Sequence, residues 1–458
     1  VATKILQGTV FDLAPTLAPG SIDCVVTSPP YWMLRSYLPK DHPLKAQELG
    51  QENTPADYVA SLVKVFGLLR PALADHACCF INVGDTYSCT PRGNKTPGGG
   101  TLTNSNIGSE VEDARWEGGK IDKSDCGIDT GNLCLIPQRL MIALQDDGWI
   151  VRSIIVWHKP APMPSSVAGW RWMRCRVKVK ASKKPGYHPH RGDHDVEERN
   201  HTAPKSDKSL NAEWIDCPGC KKCKPNDGLV LRRGSWRPTS SYEPVIMLAK
   251  SQGYYADGEA VKQPAAAATV SRDQYTRMLD DPDEQFAVRH DHETICNGAN
   301  LRDVWTISSE PLSEKHYAAY PTELVDRCLR AGTSAKGYCP KCGLPWARVI
   351  ETKAVPHPKP RSFEAAQNRC SGTGQSVGGN QANGTAALAP EVSTIGWRPS
   401  CGCNQPPRSG VVLDPFSGSG RTGIVALRLG LDFVGFELNP EYAEMGRRLL
   451  REESPLFA

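Results

Sequence analysis

The stretch that most constrains this chain is Val411-Val412-Leu413-Asp414-Pro415-Phe416-Ser417-Gly418-Ser419-Gly420. An apolar run with strand character enters a glycine-rich turn, and Thr422-Gly423-Ile424-Val425-Ala426-Leu427-Arg428-Leu429 follows with apolar residues at helical spacing. A second apolar strand, Phe433-Val434-Gly435-Phe436, then ends at Glu437. Strand, glycine-rich turn, helix, strand and acid in that order specify a doubly wound α/β sheet that binds a nucleoside-bearing ligand. Glycines let the backbone approach, and the acid accepts from ribose hydroxyls. No Gly-Lys-Ser/Thr follows the turn, so it is not a Walker phosphate loop, and the strict GxGxxG fingerprint is absent as well.

Near the other end of the chain, Ile22-Asp23-Cys24-Val25-Val26 reads as a buried strand that runs into Thr27-Ser28-Pro29-Pro30-Tyr31-Trp32. Each proline fixes its own φ and offers a carbonyl without an N–H, so the turn presents acceptors to whatever enters. The Ser28 hydroxyl, the Pro29 carbonyl and the Tyr31 ring suit a planar group that bears an NH2, which is what an enzyme acting on a nucleobase must hold. Taken alone, a Pro-Pro turn after a strand reads equally well as plain structure.

Together the two stretches resemble the DNA amino-methyltransferases, which methylate N4 of cytosine or N6 of adenine. Their order, target motif first and cofactor motif last, resembles the permuted β group. The resemblance implies a Rossmann-like, mostly parallel sheet, double-stranded DNA as substrate, and S-adenosylmethionine as methyl donor. It implies that Asp414, Pro415, Phe416, Gly418, Ser419, Gly420, Glu437 and Asn439 bind that cofactor, with Tyr320 and Pro321 packing on its methionine part. Tyr320 and Pro321 close the segment Lys315-His316-Tyr317-Ala318-Ala319-Tyr320-Pro321, and Tyr320 stands where the family commonly has Phe. Ser28, Pro29, Pro30 and Tyr31 are the implied catalytic residues. The family usually carries an acid just after the first-strand glycine; here Thr9 follows Gly8, so either Asp12 substitutes or the contact is absent. Ser rather than Asp at position 28 leans the reading to N4 of cytosine, with N6 of adenine as the alternative. No Pro-Cys dipeptide occurs, which argues against a C5-cytosine enzyme with a cysteine nucleophile. Two other classes stay open: a zinc-stabilised DNA-binding protein with an inactive core, and a methyltransferase for RNA or small molecules.

Two insertions interrupt this frame. The first spans residues 168–237 and interleaves Arg171, Arg174, Arg176, Lys178 and Lys180 with Trp170 and Trp172, a mixture suited to phosphate neutralisation and stacking on DNA. It also holds Cys217-Pro218-Gly219-Cys220-Lys221-Lys222-Cys223, with Cys175 as the expected fourth thiolate and His188, His190, His194 or His201 as substitutes. The second insertion, residues 339–404, pairs Cys339 and Cys342 in a CxxC-Gly knuckle with Cys401 and Cys403. Four thiolates closing a long loop suit a structural Zn²⁺ and supply folding energy to a stretch with little core. An Fe–S cluster would accept the same four thiolates, yet nothing else in the chain points to redox chemistry.

The remaining chain divides into a catalytic part at 1–167, a hairpin and cofactor-packing part at 238–338, and the cofactor-binding part at 405–458. Expected elements are a short helix at Leu13–Leu17, a helix at Asp57–Leu73, strands at Ala77–Asp85 and Trp149–Trp157, and helices at Pro137–Asp146, Thr322–Leu329 and Asn439–Leu450. Met33–Glu52 reads as a mobile loop over the site. Residues 88–129 and 262–300 read as polar excursions, the latter a second recognition candidate, and 357–394 as disordered with Cys370 a bystander. Seventeen cysteines without a leader-like segment point to metal thiolates and buried thiols rather than disulfides. No apolar run approaches the roughly 18 residues of a membrane span. A cytoplasmic, prokaryotic or phage-encoded enzyme is the expectation, with a cognate restriction endonuclease as the partner the resemblance brings in.

Overall fold

The computed structural model describes residues 2–39, 41–88, 126–162, 169–180, 212–234, 236–263, 300–310, 320–353 and 391–453. The expectations for His188, His190, His194, His201, His316, Cys370 and nearly all of 88–129, 262–300 and 357–394 lie outside these residues. Residues 391–394, read as the end of a disordered stretch, are instead strand, because they pair with Ile350–Lys353. Two units emerge, one from Val1–Ala161 with Tyr242–Ala458, the other from Pro162–Ser241.

The larger unit is built on strands β1 (Thr3–Gln7), β2 (Ile22–Thr27), β3 (Leu73–Asn82), β4 (Ile150–His158), β9 (Tyr242–Ala249), β10 (Val304–Thr306), β13 (Val411–Asp414) and β14 (Asp432–Glu437). They form one sheet in the order β1-β14-β13-β2-β3-β9-β4-β10. Every neighbour pair is parallel except β3–β9 and β4–β9. The doubly wound, mostly parallel fold is therefore what the strand–turn–helix–strand pattern specified.

Side chains on successive strand residues alternate between the two faces, and helices cover both, so the central strands are mostly apolar. On β3, Cys79 and Ile81 join Leu62, Val65, Phe66 and Leu69 of the helix Pro55–Leu69, with Leu140 and Leu144 of the helix Ile136–Asp146. Cys78 and Phe80 face the other way, onto Val325, Cys328 and Leu329 of the helix Thr322–Gly332, with Val425 of the helix Arg421–Arg428 and Leu450 of the helix Pro440–Glu453.

Several element boundaries differ by a few residues from the sequence reading. The helix begins at Pro55, where the Thr54 hydroxyl accepts from the Asp57 N–H at 3.1 Å, and stops at Leu69. Leu73 already belongs to β3, which ends at Asn82 rather than Asp85. Asp75 and His76 obscured the start of this strand. His76 is buried because Asp23 at the base of β2 sits 3.0 Å from its Nε2 and also takes Arg408 at 2.7 Å. Near the N-terminus the helical turn is Val10–Leu13, continued as a 3₁₀ turn at Ala14–Thr16.

The second insertion contains an antiparallel pair, β11 (Trp346–Lys353) and β12 (Glu391–Pro399). The smaller unit contains two ladders: β5 (Arg171–Arg174) with β8 (Leu229–Arg232), and β6 (Arg176–Lys180) with β7 (Ala212–Asp216). No described helix is long and apolar enough to cross a membrane.

Candidate active site

Strand order decides where the site forms. The chain leaves β13 toward β14 and leaves β2 toward β3, in opposite directions, so a crevice opens at the carboxyl ends of β2 and β13. Val412 pairs with Cys24 and Leu413 with Val25, which sets the two turns side by side. One cavity results, lined by Ser28, Pro29, Pro30 and Tyr31 after β2 and by Pro415–Ser419 after β13. Gly8, Thr9 and Val10 after β1, Glu437 and Leu438 after β14, and Tyr320, Arg421 and Tyr442 complete that wall. The segment read as a mobile loop supplies Leu34, Tyr37, Gln47, Glu48 and Leu49. It is anchored: the Asn439 side chain donates to the Tyr37 carbonyl at 2.8 Å, Tyr37 meets Tyr442 edge-on at 6.4 Å, and buried Glu48 accepts from the Tyr37 N–H and pairs with Lys45.

Glu437 is the cavity's principal acceptor. Its two oxygens each take one backbone N–H, from Gly418 and from Asn439, both at 2.8 Å. A carboxylate has about four lone-pair positions, so two remain for hydroxyls of a bound ligand. Burial pushes this carboxyl up to about 7, against the pull of the Asn439 and Gly418 N–H groups. The turn that delivers the Gly418 N–H needs positive φ at Gly418 (50°) and Gly420 (77°), which residues with a Cβ rarely adopt. Ser417 Oγ is buried on the cavity wall with no hydrogen-bond partner among the described residues. An unmet hydroxyl beside a half-committed carboxylate is the donor set a ribose or amino-acid moiety would satisfy, so the residues fit a nucleoside-bearing cofactor.

Asp414, expected at the cofactor, does not line the cavity. It lies beneath it, and its carboxylate accepts from Thr27 Oγ1 (2.6 Å), Thr422 Oγ1 (2.7 Å), the Tyr320 hydroxyl (2.8 Å) and the Phe416 N–H (3.1 Å). Burial raises its pKa and these four donors pull it back. Asp414 thus pins the turns after β2 and β13 to Tyr320 and to the helix Arg421–Arg428. Gly420, Pro321 and Asn439 are likewise supports rather than lining. Gly420 precedes that helix, Pro321 precedes Thr322–Gly332, and Asn439 Oδ1 accepts from the Glu441 N–H at 2.8 Å at the start of the last helix. Asp12 is not the missing acid either. It is exposed and turned onto Thr9, whose hydroxyl lies 2.6 Å from Asp12 Oδ2 and caps the helical turn.

The turn Ser28–Trp32 is held from several sides. The Tyr58 hydroxyl donates to the Pro30 carbonyl at 2.6 Å, and buried Trp32 donates to the Glu52 carbonyl at 2.7 Å. No hydrogen bond reaches the Pro29 carbonyl from the described residues, so an acceptor remains on the cavity side. The Tyr31 hydroxyl donates to Glu243 at 2.7 Å, with Asn82 Oδ1 3.0 Å away. Burial, then the Glu243 charge, raises the pKa of Tyr31 well above the usual phenol range. Sequence reading missed Glu243, Ser417 and Arg421. Arg421 is buried and bonded to Glu310 at 2.8 Å and to the Tyr320 carbonyl at 3.1 Å, with its pKa lowered by burial. None of these pairings has a local sequence signal.

The model of the N6/N4 family described as DNA methylase matches residues 22–339 and 403–448, which include both turns and most of the cavity wall. The chain belongs to that DNA methylase family. The Type II methyltransferase M.Cfr9I of Citrobacter freundii is 23% identical over 449 residues, covering 98% of this methylase and 88% of the relative. The Type II methyltransferase M.SmaI of Serratia marcescens is 24% identical over 449 residues, covering 98% and 91%. Among solved structures, the PvuII DNA methyltransferase (cytosine-N4-specific) is 12% identical with a TM-score of 0.43, covering 98% of this chain and 86% of that one.

Both cysteine groups of the methylase come together as the spacing suggested. Cys175, Cys217, Cys220 and Cys223 form one cluster and Cys339, Cys342, Cys401 and Cys403 the other, with the sulfurs of each within 4.8 Å of one another. The Cys175–Cys220 and Cys220–Cys223 sulfur separations are 3.8 and 3.6 Å. A tetrahedron with Zn–S bonds of about 2.3 Å has edges of about 3.8 Å, so the donor set fits. Of the expected DNA-facing residues, Arg171 and Arg174 are exposed on β5, and Arg176 on β6 is exposed but lies 3.4 Å from Asp216. Lys178 and Lys180 lie on the same strand β6.

Proposed function

We propose that this methylase transfers a methyl group from S-adenosylmethionine to the exocyclic amine of a base flipped out of duplex DNA, with N4 of cytosine as the target. The observation that carries the reading is the single cavity into which the Pro415–Ser419 turn, Glu437 and the Ser28–Tyr31 turn all project. S-adenosylmethionine, when bound, supplies an electrophilic methyl group. Glu437 and Ser417 hold its polar groups, and Phe416 and Tyr442 offer apolar surface. The Ser28 hydroxyl and the Pro29 carbonyl accept from the amino group of the base, while Tyr31 stacks on its ring. Holding the amine nitrogen in line is the main catalytic contribution of these residues. Ser28 in place of Asp favours cytosine through the family resemblance.

The insertion at 168–237 is proposed to contact DNA through Arg171, Arg174, Arg176, Lys178 and Lys180. Both cysteine clusters are proposed to hold structural Zn²⁺, since four thiolates leave no open coordination position for chemistry. A cognate restriction endonuclease is the proposed biological partner, in keeping with the Type II designation of the relatives.

Incubation with labelled S-adenosylmethionine and mixed-sequence duplex DNA, followed by nucleoside analysis, tests the reading. Label in N4-methyldeoxycytidine is expected. Label in N6-methyldeoxyadenosine would overturn the base assignment, and bound cofactor without any labelled DNA would favour an inactive DNA-binding protein.

A further inference from the structure

The Tyr31 ring is fixed more firmly than a buried tyrosine requires. Its hydroxyl donates to Glu243 Oε2 at 2.7 Å, with Asn82 Oδ1 at 3.0 Å. The other Glu243 oxygen is taken by Lys159 Nζ, which itself stands 4.4 Å from the centre of the Trp157 ring. Asn82 is held in turn by donating to the Pro244 carbonyl at 3.2 Å. These groups come from three neighbouring strands and the residue after one of them: Asn82 ends β3, Glu243 lies on β9 opposite Trp157 of β4, and Lys159 follows β4. Below the ring, Gly84 leaves so little room that a Cβ there would stand 2.5 Å from Tyr31 Cε2. The hydroxyl end and the ring edge are therefore both fixed, and the ring plane with them.

We infer that Glu243 and Lys159 are positioning residues that lock the Tyr31 ring in the plane a flipped base must stack on, so that the platform exists before DNA arrives. The inference rests on the base-methylation reading above. Neither side chain lines the cavity, so neither touches the reacting atoms; both act through Tyr31. Glu243 and Lys159 keep only 21% and 27% of their side-chain surface exposed, so truncating either leaves the other charge poorly solvated, and the near-isosteric Glu243→Gln separates a loss of folding from a loss of ring orientation. A preset platform spares the enzyme the ordering of a side chain at the moment the base enters.

The test compares Tyr31→Phe, Glu243→Ala, Glu243→Gln, Lys159→Met and the double variant Tyr31→Phe/Glu243→Ala. It measures kcat, KM for DNA, S-adenosylmethionine Kd, and the fluorescence of 2-aminopurine at the target position. Glu243→Ala and Tyr31→Phe should each lower kcat about 10- to 100-fold, as expected for a misplaced base. Cofactor Kd should stay within about twofold, since none of the hydrogen bonds that hold the ring involves Glu437, and 2-aminopurine emission should change because the extruded base is held less firmly. Glu243→Gln keeps an acceptor for the phenol and should recover most of the rate, and Lys159→Met should fall between it and Glu243→Ala. The double variant should be no slower than either single one, because Glu243 acts only through the Tyr31 hydroxyl. Wild-type rate in Tyr31→Phe, which removes one oxygen and leaves the packing intact, would overturn the inference. Multiplicative losses in the double variant would do so too. If the wild-type protein labels no DNA base, the methylation reading falls first and this inference with it; an active wild type with indifferent variants sinks the inference alone.

Discussion

Replacing Glu437 by Gln tests the cofactor half of the site with one atom changed. In the structure each carboxylate oxygen accepts one backbone N–H, from Gly418 and Asn439, and the remaining lone pairs face the cavity. Gln has one acceptor oxygen and one NH2, so its amide must point a donor at one of those N–H groups. It loses that bond and, on the same atom, one acceptor position for a ligand hydroxyl. A hydrogen bond to a charged group is worth about 1.5–3 kcal/mol; the lost backbone bond weakens the free and the liganded protein alike, so the lost ligand bond alone sets the affinity change, about 1.5 kcal/mol at the low end, or ~10-fold in Kd. Titration calorimetry with S-adenosylmethionine reads this directly, with circular dichroism as a check on folding. The pH profile adds a second reading. Burial holds the unliganded carboxyl at about 7, so the accepting, ionised form grows as pH rises through 7 and affinity should rise with it, then level off. In Glu437→Gln that dependence should vanish. The stability of the unliganded protein should move the other way. Because the folded pKa exceeds the ordinary 4.5, the unfolded chain ionises first, and stability falls as pH rises from about 4.5 to about 7. A Glu437→Gln protein that binds within fivefold of wild type, with the same pH profile, would refute the role assigned to this carboxylate.

Gly84→Ala places a methyl 2.5 Å from Tyr31 Cε2, where carbon contacts normally sit at about 3.5–4.0 Å, so the ring must retreat by about 1 Å. Single-turnover methylation should slow about 100-fold with cofactor affinity kept; an unchanged rate would show that the ring position does not matter. Tyr320→Phe removes one donor from the buried Asp414 carboxylate and should cost about 2 kcal/mol in thermal or urea unfolding, whereas an unshifted midpoint would dismiss the hydroxyl as a strut. Metal analysis of freshly purified protein should find close to two zinc ions per chain, with Cys220→Ser and Cys342→Ser each losing one; metal-free, fully folded protein would rule out both sites.

Much of the fold was legible because β2, β3 and β13 are buried on both faces, which leaves near-continuous apolar runs between turn residues. The glycine-rich turn and Glu437 were legible because their chemistry is local: strand, turn, helix and acid fall within one short stretch of chain. Of the two alternatives for the acid after Gly8, the structure does not favour Asp12, because the Thr9 hydroxyl that caps the helical turn already donates to its carboxylate. Asp414 was legible as part of the glycine-rich turn but not as its strut, because its four donors come from Thr27, Tyr320 and Thr422 as well as its own turn, and no spacing rule reveals that a charge is already spoken for. Glu243, Lys159, Arg421 and Glu310 were invisible for the same reason, since each finds its partner only after distant segments meet in the sheet.

The strand order β1-β14-β13-β2 has a consequence for how the protein is made. Residues 3–7 pair with residues 433–437, and β2 waits for β13 as its neighbour on one side. During synthesis the amino-terminal strands therefore emerge long before the strands that complete their ladder, with open edges that invite pairing with other chains. The turn that would seat the base likewise stands beside an absent wall until β13 and β14 have left the ribosome. A ribosome stalled or a chain cut before β13 yields a polypeptide that holds the Ser28–Tyr31 turn without Glu437 or the Pro415–Ser419 turn to face it. Supplying residues 405–458 as a separate peptide to such a truncated chain would restore in trans what the native protein joins only once β13 and β14 have been made.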